Sequence, residues 1–336
     1  MHYLLVEKLF LLFFSLVLMQ GCSQKVTVQA LVPAEVERVS HTKKVAVVNF
    51  KNDSIGVSRK IETTLAKVKI NNKNYFTLIS RRDFNKIIQE QKLQSSALSS
   101  KNSSVKFGEI VSAEAIISGD VHYPRAEDSY YYARRVRCLD EKCQKLSRYT
   151  VRCIKRIVSL NVDIRIVDVT KGDIIFADTF SRERAYRHCS DDTNALPSSR
   201  MVAQHFAKSI ADEFVYKLTP HYRTFEVELL DEPDLDYSDK EEDLLKYALV
   251  YIEKKRYNKA EELLIRLIDM TDSKSYVPFY DLGVIYEARG KYKQAKEYYE
   301  YAQNLMLAPV DEIDEAVERI DRLIREEQKS MEQLNR

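Results

Sequence analysis

The chain has no tryptophan and only 7 glycines and 7 prolines among its 336 residues. A typical chain carries about 7% glycine, so the glycine-rich loops that cradle phosphates at helix starts are scarce, and nothing reads as a nucleotide site. Charge of one sign is missing too. Lys and Arg number 53 against 51 Asp and Glu, a net +2, so no global basic excess marks nucleic acid as a partner. No apolar run reaches the ~20 residues of a membrane-spanning helix. The 6 histidines are scattered, and no local motif assembles a Ser-His-Asp set or paired carboxylates, so an enzyme, a cofactor and a metal are not expected. What is present, 45% hydrophobic and 31% charged residues, suffices for packed cores in two ordinary domains.

At the N-terminus, LFLLFFSLVLM (9–19) has about the length of a signal-peptide core, with Lys8 before it and Gln20-Gly21-Cys22 after it. This resembles the bacterial lipoprotein processing site, with Met19 where Leu is usual. The resemblance implies a signal peptide over 1–21, a diacylated Cys22 held firmly on a bilayer and, because Ser23 rather than Asp follows, sorting to the periplasmic face of the outer membrane. Residues 22–43 are polar, show no sustained period and are expected to be a tether.

The first folded block is expected over 44–225. VAVVNF (45–50), YFTLISR (75–81) and AIISGDV (115–121) read as strands. Helical spacing of Ile61, Leu65 and Val68, and the amphipathic 83–93, place helices between them. This βαβαβ start argues for an α/β layer structure with a mixed sheet. VSLNVDIRIVDV (158–169) and DIIFADTFSRERA (173–185) read as an antiparallel hairpin. Setting Val162 opposite Phe180 and Ile166 opposite Phe176 makes one face apolar, and leaves Asp163 by Thr179 and Arg165 by Ala177 on the other. A long helix over 201–218 closes the block. From Glu226 to Asp243 there are 10 acidic residues against 1 basic, read as a solvated linker.

The rest, 244–336, is a repeat. Residues 245–267 are echoed by 279–302, with Ala260 and Ala295 35 residues apart, close to the 34-residue tetratricopeptide period. Phe279, Leu282-Gly283, Tyr286, Ala295, Tyr299, Ala302 and Pro309 resemble that family's pattern; the first copy lacks the Leu-Gly pair. A final helix over 311–333, with Ile313, Val317, Ile320 and Leu323 on one stripe, is read as the polar cap. The resemblance implies an all-α tetratricopeptide-repeat domain whose inner helices line a partner-binding groove of Leu245, Leu249, Ile252, Tyr280, Val284 and Glu287, unless Leu249 and Val284 are simply core.

VAVVNF, FTLISRRDFNKIIQEQKLQ, GEIVSAEAIISGDV and SLNVDIRIVDVTKGDIIFADT, in this order, resemble the CsgG-like lipoproteins of curli secretion over roughly 44–220. That implies a periplasmic α/β domain serving secretion or assembly of surface structures. Channel members of that family insert two long hairpins into the membrane, which here fall within 121–157 and 186–200. Yet 134–156 carries 9 basic residues and no clean apolar row, and a lipid-facing Arg or Lys near the midplane costs ~2 to 4 kcal/mol. A non-pore scaffold that recruits proteins through its repeat is therefore expected, with an export channel or an activator of a cell-wall synthase as alternatives; a homo-oligomer is compatible with either. The basic run itself reads as a solvated face, or as a contact for anionic headgroups, cell-wall polymer or an acidic partner.

Beyond Cys22, the cysteines are Cys138, Cys143, Cys153 and Cys189, an even number in an exported chain, which suggests disulfides. The hairpin register chosen from apolar facing, carried outward, sets Cys153 opposite Cys189 and leaves Cys138 and Cys143 to close a local loop. Two arrangements compete with this: a Cys143–Cys153 bridge, and a zinc site of Cys138, Cys143, His188 and Cys189, for which the four-residue gap between the first two cysteines is loose.

Overall fold

The structure, a computed structural model, describes residues 24–70, 72–79, 112–122 and 124–335. The expected signal peptide, Cys22 and the expected helix over 83–93 lie outside the described residues. The elements run β1 (Lys25–Val32), a 3-10 turn (Glu37–His41), β2 (Lys44–Val47), α1 (Val57–Lys67), β3 (Lys69–Ile70), β4 (Lys73–Asn74) and β5 (Thr77–Leu78). Then come β6 (Ala115–Val121), β7 (Arg125–Cys138), β8 (Leu146–Asp168), β9 (Ile174–Cys189), α2 (Ser199–Lys217) and β10 (His221–Glu228). Five helices finish the chain: α3 (Asp239–Glu253), α4 (Tyr257–Met270), α5 (Val277–Ala288), α6 (Tyr292–Leu305) and α7 (Asp311–Asn335). The chain divides into two compact units, Pro33–His221 with Glu332–Arg336, and Met1–Val32 with Tyr222–Met331.

The first unit is a mixed sheet. β2 pairs in parallel with β5 and β6, while β8 runs antiparallel to β6, β7 and β9. Every second residue of β8 from Val158 to Ile166 is apolar and buried, which directs one face of the sheet into the core that α1 and α2 also line. Phe176 and Phe180 of β9 pack there with Phe214 of α2, their ring centroids 5.6 and 6.1 Å from it. Helix α1 starts where it does because the Asp53 carboxylate accepts the Val57 and Ser58 N–H groups at 2.7 and 2.9 Å, while Gly56 supplies a left-handed φ of 78°. Of the strand expected at 75–81, residues 75–79 are described, and Thr77–Leu78 pair with β2.

The ladder between β8 and β9 has Val162 opposite Phe180, Ile166 opposite Phe176 and Cys153 opposite Cys189, the register that apolar facing alone predicts. Beyond Cys153 only β7 and β8 continue. Tyr132–Cys138 and Leu146–Arg152 thus form a two-stranded arm whose turn is closed by Asp140, which accepts the Gln144 and Lys145 N–H groups at 2.7 and 3.0 Å.

The second unit is helical, but it also recruits strands. α3 packs on α4 and α5 on α6. Gly283 is required between the latter pair: a Cβ there would lie 2.4 Å from the Tyr299 ring. Helix α3 begins at Ser238, whose N–H and hydroxyl both donate to the Glu241 carboxylate, at 2.6 and 2.7 Å.

β1 and β10 form a two-stranded ribbon in this unit. The Leu229 N–H donates to the Gln24 carbonyl, and Lys25 pairs with Glu228, so the start of β1 lies by the end of β10. The expectation of a tether over 22–43 is therefore corrected: Val26, Val28, Ala30 and Val32 alternate into the core with a period of two. The expected solvated linker over 226–243 is corrected as well. Val227, Leu229 and Tyr237 are buried, and Asp234 accepts the Tyr276 N–H at 2.8 Å and the Ser275 hydroxyl.

Candidate interaction surfaces

The six residues expected to line an open groove share one side of α3 and α5, and all are buried. Exposure runs from 0% at Val284 and Glu287 to 8% at Leu249. The cover is the chain's own ribbon. Val26, Val28, Ala30, Val227 and Leu229 join the core that holds Leu245, Leu249, Ile252, Tyr280 and Val284. Polar contacts pin it in place: Gln24 Nε2 donates to the Leu249 carbonyl at 3.3 Å, and the Tyr280 hydroxyl donates to the Glu228 carbonyl at 2.8 Å. The expectation that these side chains face a partner is corrected accordingly, because two strands from distant parts of the sequence already fill the concavity.

Glu287 serves the interior. Its carboxylate accepts two bonds from the Arg319 guanidinium, at 2.8 and 3.1 Å, and one from the Tyr299 hydroxyl at 2.5 Å. Burial opposes the Arg319 charge, but its bonds to Glu287 prevail and hold its pKa above the usual arginine range. Asp281, six residues earlier on α5, is fully buried; its Oδ1 accepts the Leu230 N–H at 3.1 Å while its Oδ2 has no partner among the described residues. Burial pushes its carboxyl well above the ordinary range. Neither acid was an expected interior group, since helical spacing says which face an acid occupies and not what lands on it.

The second surface is the arm. Cys138 and Cys143 are joined by a disulfide at its turn, and Cys153 and Cys189 by another at its base, with Cα atoms 4.8 and 3.9 Å apart. The thiols that a zinc site would need are thus consumed. Cys189, Asp191 and Asp192 bring possible ligand atoms within 4.8 Å of one another, but the sulfur is bonded to Cys153 and both carboxylates are engaged. Asp191 accepts from Arg135 Nε at 3.3 Å and the Tyr149 hydroxyl at 3.2 Å, and Asp192 accepts the Cys189 N–H at 2.6 Å. Below the arm, where β9 is also paired, Arg156 forks onto Asp128 at 2.7 and 2.6 Å, and these bonds hold the Asp128 carboxyl below its usual range. The exposed Tyr130 and Tyr132 were missed by a reading that counted charges; the signal was their alternation with Ala133 and Arg135 once β7 is taken as a strand.

Among the described residues no helix is long and apolar enough to cross a membrane. The comparison with curated proteins finds no match. Among solved structures, the chain is similar to the C-terminal domain of LpoB from Salmonella enterica, at 14% identity over 44% of this chain and 95% of that one, with a TM-score of 0.25. It is also similar to lipoprotein GNA1162 from Neisseria meningitidis, at 11% identity over 53% of this chain and 99% of that one, with a TM-score of 0.29. A third is the PelC dodecamer from Paraburkholderia phytofirmans, at 10% identity over 56% of this chain and 96% of that one, with a TM-score of 0.23. Residues 14–124 match the family model for the curli production assembly/transport component CsgG.

Proposed function

We propose that this chain is a periplasmic lipoprotein, anchored to the outer membrane through Cys22, that acts as a non-enzymatic scaffold in the assembly or secretion of cell-envelope or surface structures. The match of residues 14–124 to the CsgG family model carries this reading. The apolar run ending at Gly21-Cys22 supports the anchor. We read α3–α7 as tetratricopeptide repeats with a capping helix, a reading supported by the burial of Ala260 and Ala295 and by the Gly283 contact with Tyr299. Because the inner face of these helices is covered, partners meet the scaffold elsewhere.

Cys22→Ala tests the anchor: the variant should leave the membrane fraction or remain unprocessed, and unchanged lipid labelling refutes the reading. Crosslinking in envelope membranes tests the scaffold, with a reproducible set of envelope-assembly proteins expected and capture of none refuting it. A cell-wall synthase as the sole captured partner would favour the activator reading.

A channel is favoured by one observation, strand length: β7, β8 and β9 have 14, 23 and 16 residues, whereas about 9 to 11 cross a bilayer. Their charge argues the other way, since Arg135 and Arg137 occupy one face of the arm and Arg134, Arg148 and Arg152 the other. Conductance of the purified chain in a planar bilayer decides between them.

A further inference from the structure

The two faces of the arm, taken with the two rungs just below it, differ. On one, Tyr131, Ala133 and Tyr149 pack against Val151 and the Cys153–Cys189 bridge, and Arg135 is paired with Asp191. The other face carries Tyr130, Tyr132 and Val136 from β7, beside Leu146, Arg148 and Arg152 from β8. Exposure is 62% at Tyr130, 75% at Tyr132, 56% at Val136 and 61% at Leu146, so four large side chains stand in water on one narrow ribbon. The carboxylate on this face beside Tyr130, Asp128, is taken up by Arg156, and Arg134 and Arg148 have no partner among the described residues. Arg152 lies over the Tyr130 ring, 4.7 Å from its centroid. From 130 to 152 the chain carries 7 basic and 2 acidic residues, although the whole protein is nearly neutral.

Large apolar side chains clustered in water on one face mark a contact surface, and the chemistry of this one selects its occupant. Tyrosines settle at the headgroup level of a bilayer, with the ring in the apolar margin and the hydroxyl in water. Arginine stems lie along the same margin while their charged ends meet lipid phosphates. The alternation of Arg with Tyr forbids deeper burial. We propose that the arm is a membrane-adsorbing finger: its Tyr130, Tyr132, Val136 and Leu146 face lies on the headgroup layer of an anionic bilayer, held by Arg134, Arg148 and Arg152, without crossing it. The inference rests on the lipoprotein reading, which supplies the bilayer.

Because the chain has no tryptophan, Tyr132→Trp in the full chain provides a single reporter at the centre of this face. With phosphatidylglycerol vesicles its emission should shift to the blue and be quenched by brominated acyl chains; with phosphatidylcholine vesicles it should do neither. Adding Arg134→Gln and Arg148→Gln should weaken the phosphatidylglycerol response roughly 10- to 30-fold, with an unchanged circular dichroism spectrum. Flotation, read in parallel, separates the two readings. A chain that floats through its lipid yet keeps a water-like emission overturns the finger and leaves the anchor standing. A blue shift in a Cys22→Ala chain that lacks lipid supports the finger on its own. An equal response to phosphatidylcholine, or a shift that appears only when envelope proteins are added, overturns it.

Discussion

Cys153 and Cys189 face each other across β8 and β9 with Cα atoms 3.9 Å apart, and the bridge between them closes the base of the arm. It spans 36 residues of sequence, so loop entropy assigns it roughly 3 to 4 kcal/mol of stabilisation. Cys153→Ser with Cys189→Ser should therefore lower the unfolding free energy measured in urea by that amount, and reducing agent should have little further effect on the variant. An unchanged midpoint would show that the ladder alone holds the arm's base. Peptide mapping without reduction should recover the Cys153 and Cys189 peptides linked.

Glu287 and Arg319 share a buried pair in which, among the described residues, neither has a second oppositely charged partner. Glu287→Ala leaves the guanidinium uncompensated, and removing one member of such a pair costs about 3 to 5 kcal/mol. Equilibrium unfolding of the variant should show that loss, with a much smaller one for Glu287→Leu combined with Arg319→Met. Additive losses in the double variant would contradict the pairing.

Asp281 makes stability fall with rising pH. Its carboxyl is raised well above the ordinary range in the folded chain, so the folded state holds a proton that the unfolded state has released. The contribution is fully present below about pH 4, where the unfolded carboxyl is also protonated, and is lost as pH rises through the elevated folded value. Asp281→Asn keeps an acceptor for the Leu230 N–H and does not titrate. The urea midpoint of the variant relative to the parent should rise from acid towards neutral pH; a flat difference would mean that Asp281 is ionised in the folded chain.

Deleting 241–336 should not yield a clean remaining domain. The deletion uncovers Val26, Val28, Ala30, Val227 and Leu229, all now at most 4% exposed. It also removes Gln333, which accepts the Ala34 N–H at 2.8 Å and, through its carbonyl, Lys43 at 3.0 Å. The shortened chain should bind a hydrophobic dye and self-associate in size-exclusion chromatography. A monodisperse product with unchanged stability would show that the ribbon and the helices are energetically independent.

Local pattern determined a large part of this molecule. Alternation along β8 and β9 specified their register, and that register aligned two cysteines that took no part in choosing it, because a strand's side chains repeat every two residues and a one-residue slip would turn the whole apolar face to water. Helical spacing likewise located α1, α2 and the C-terminal helices. Only the tertiary structure decided what those faces meet. The inner side of α3 and α5 reads the same whether a partner or the chain itself covers it, and the cover comes from β1 and β10, far away in sequence. KVTVQALV at 25–32 does alternate, but alternation announces a half-buried strand without naming the surface that buries it. The place of Tyr132 on a two-stranded arm was hidden for a related reason: it depends on β9 ending at Cys189 while β7 and β8 run on, and where one strand outlasts its neighbour is set by pairing across the sheet rather than by any residue's own propensity.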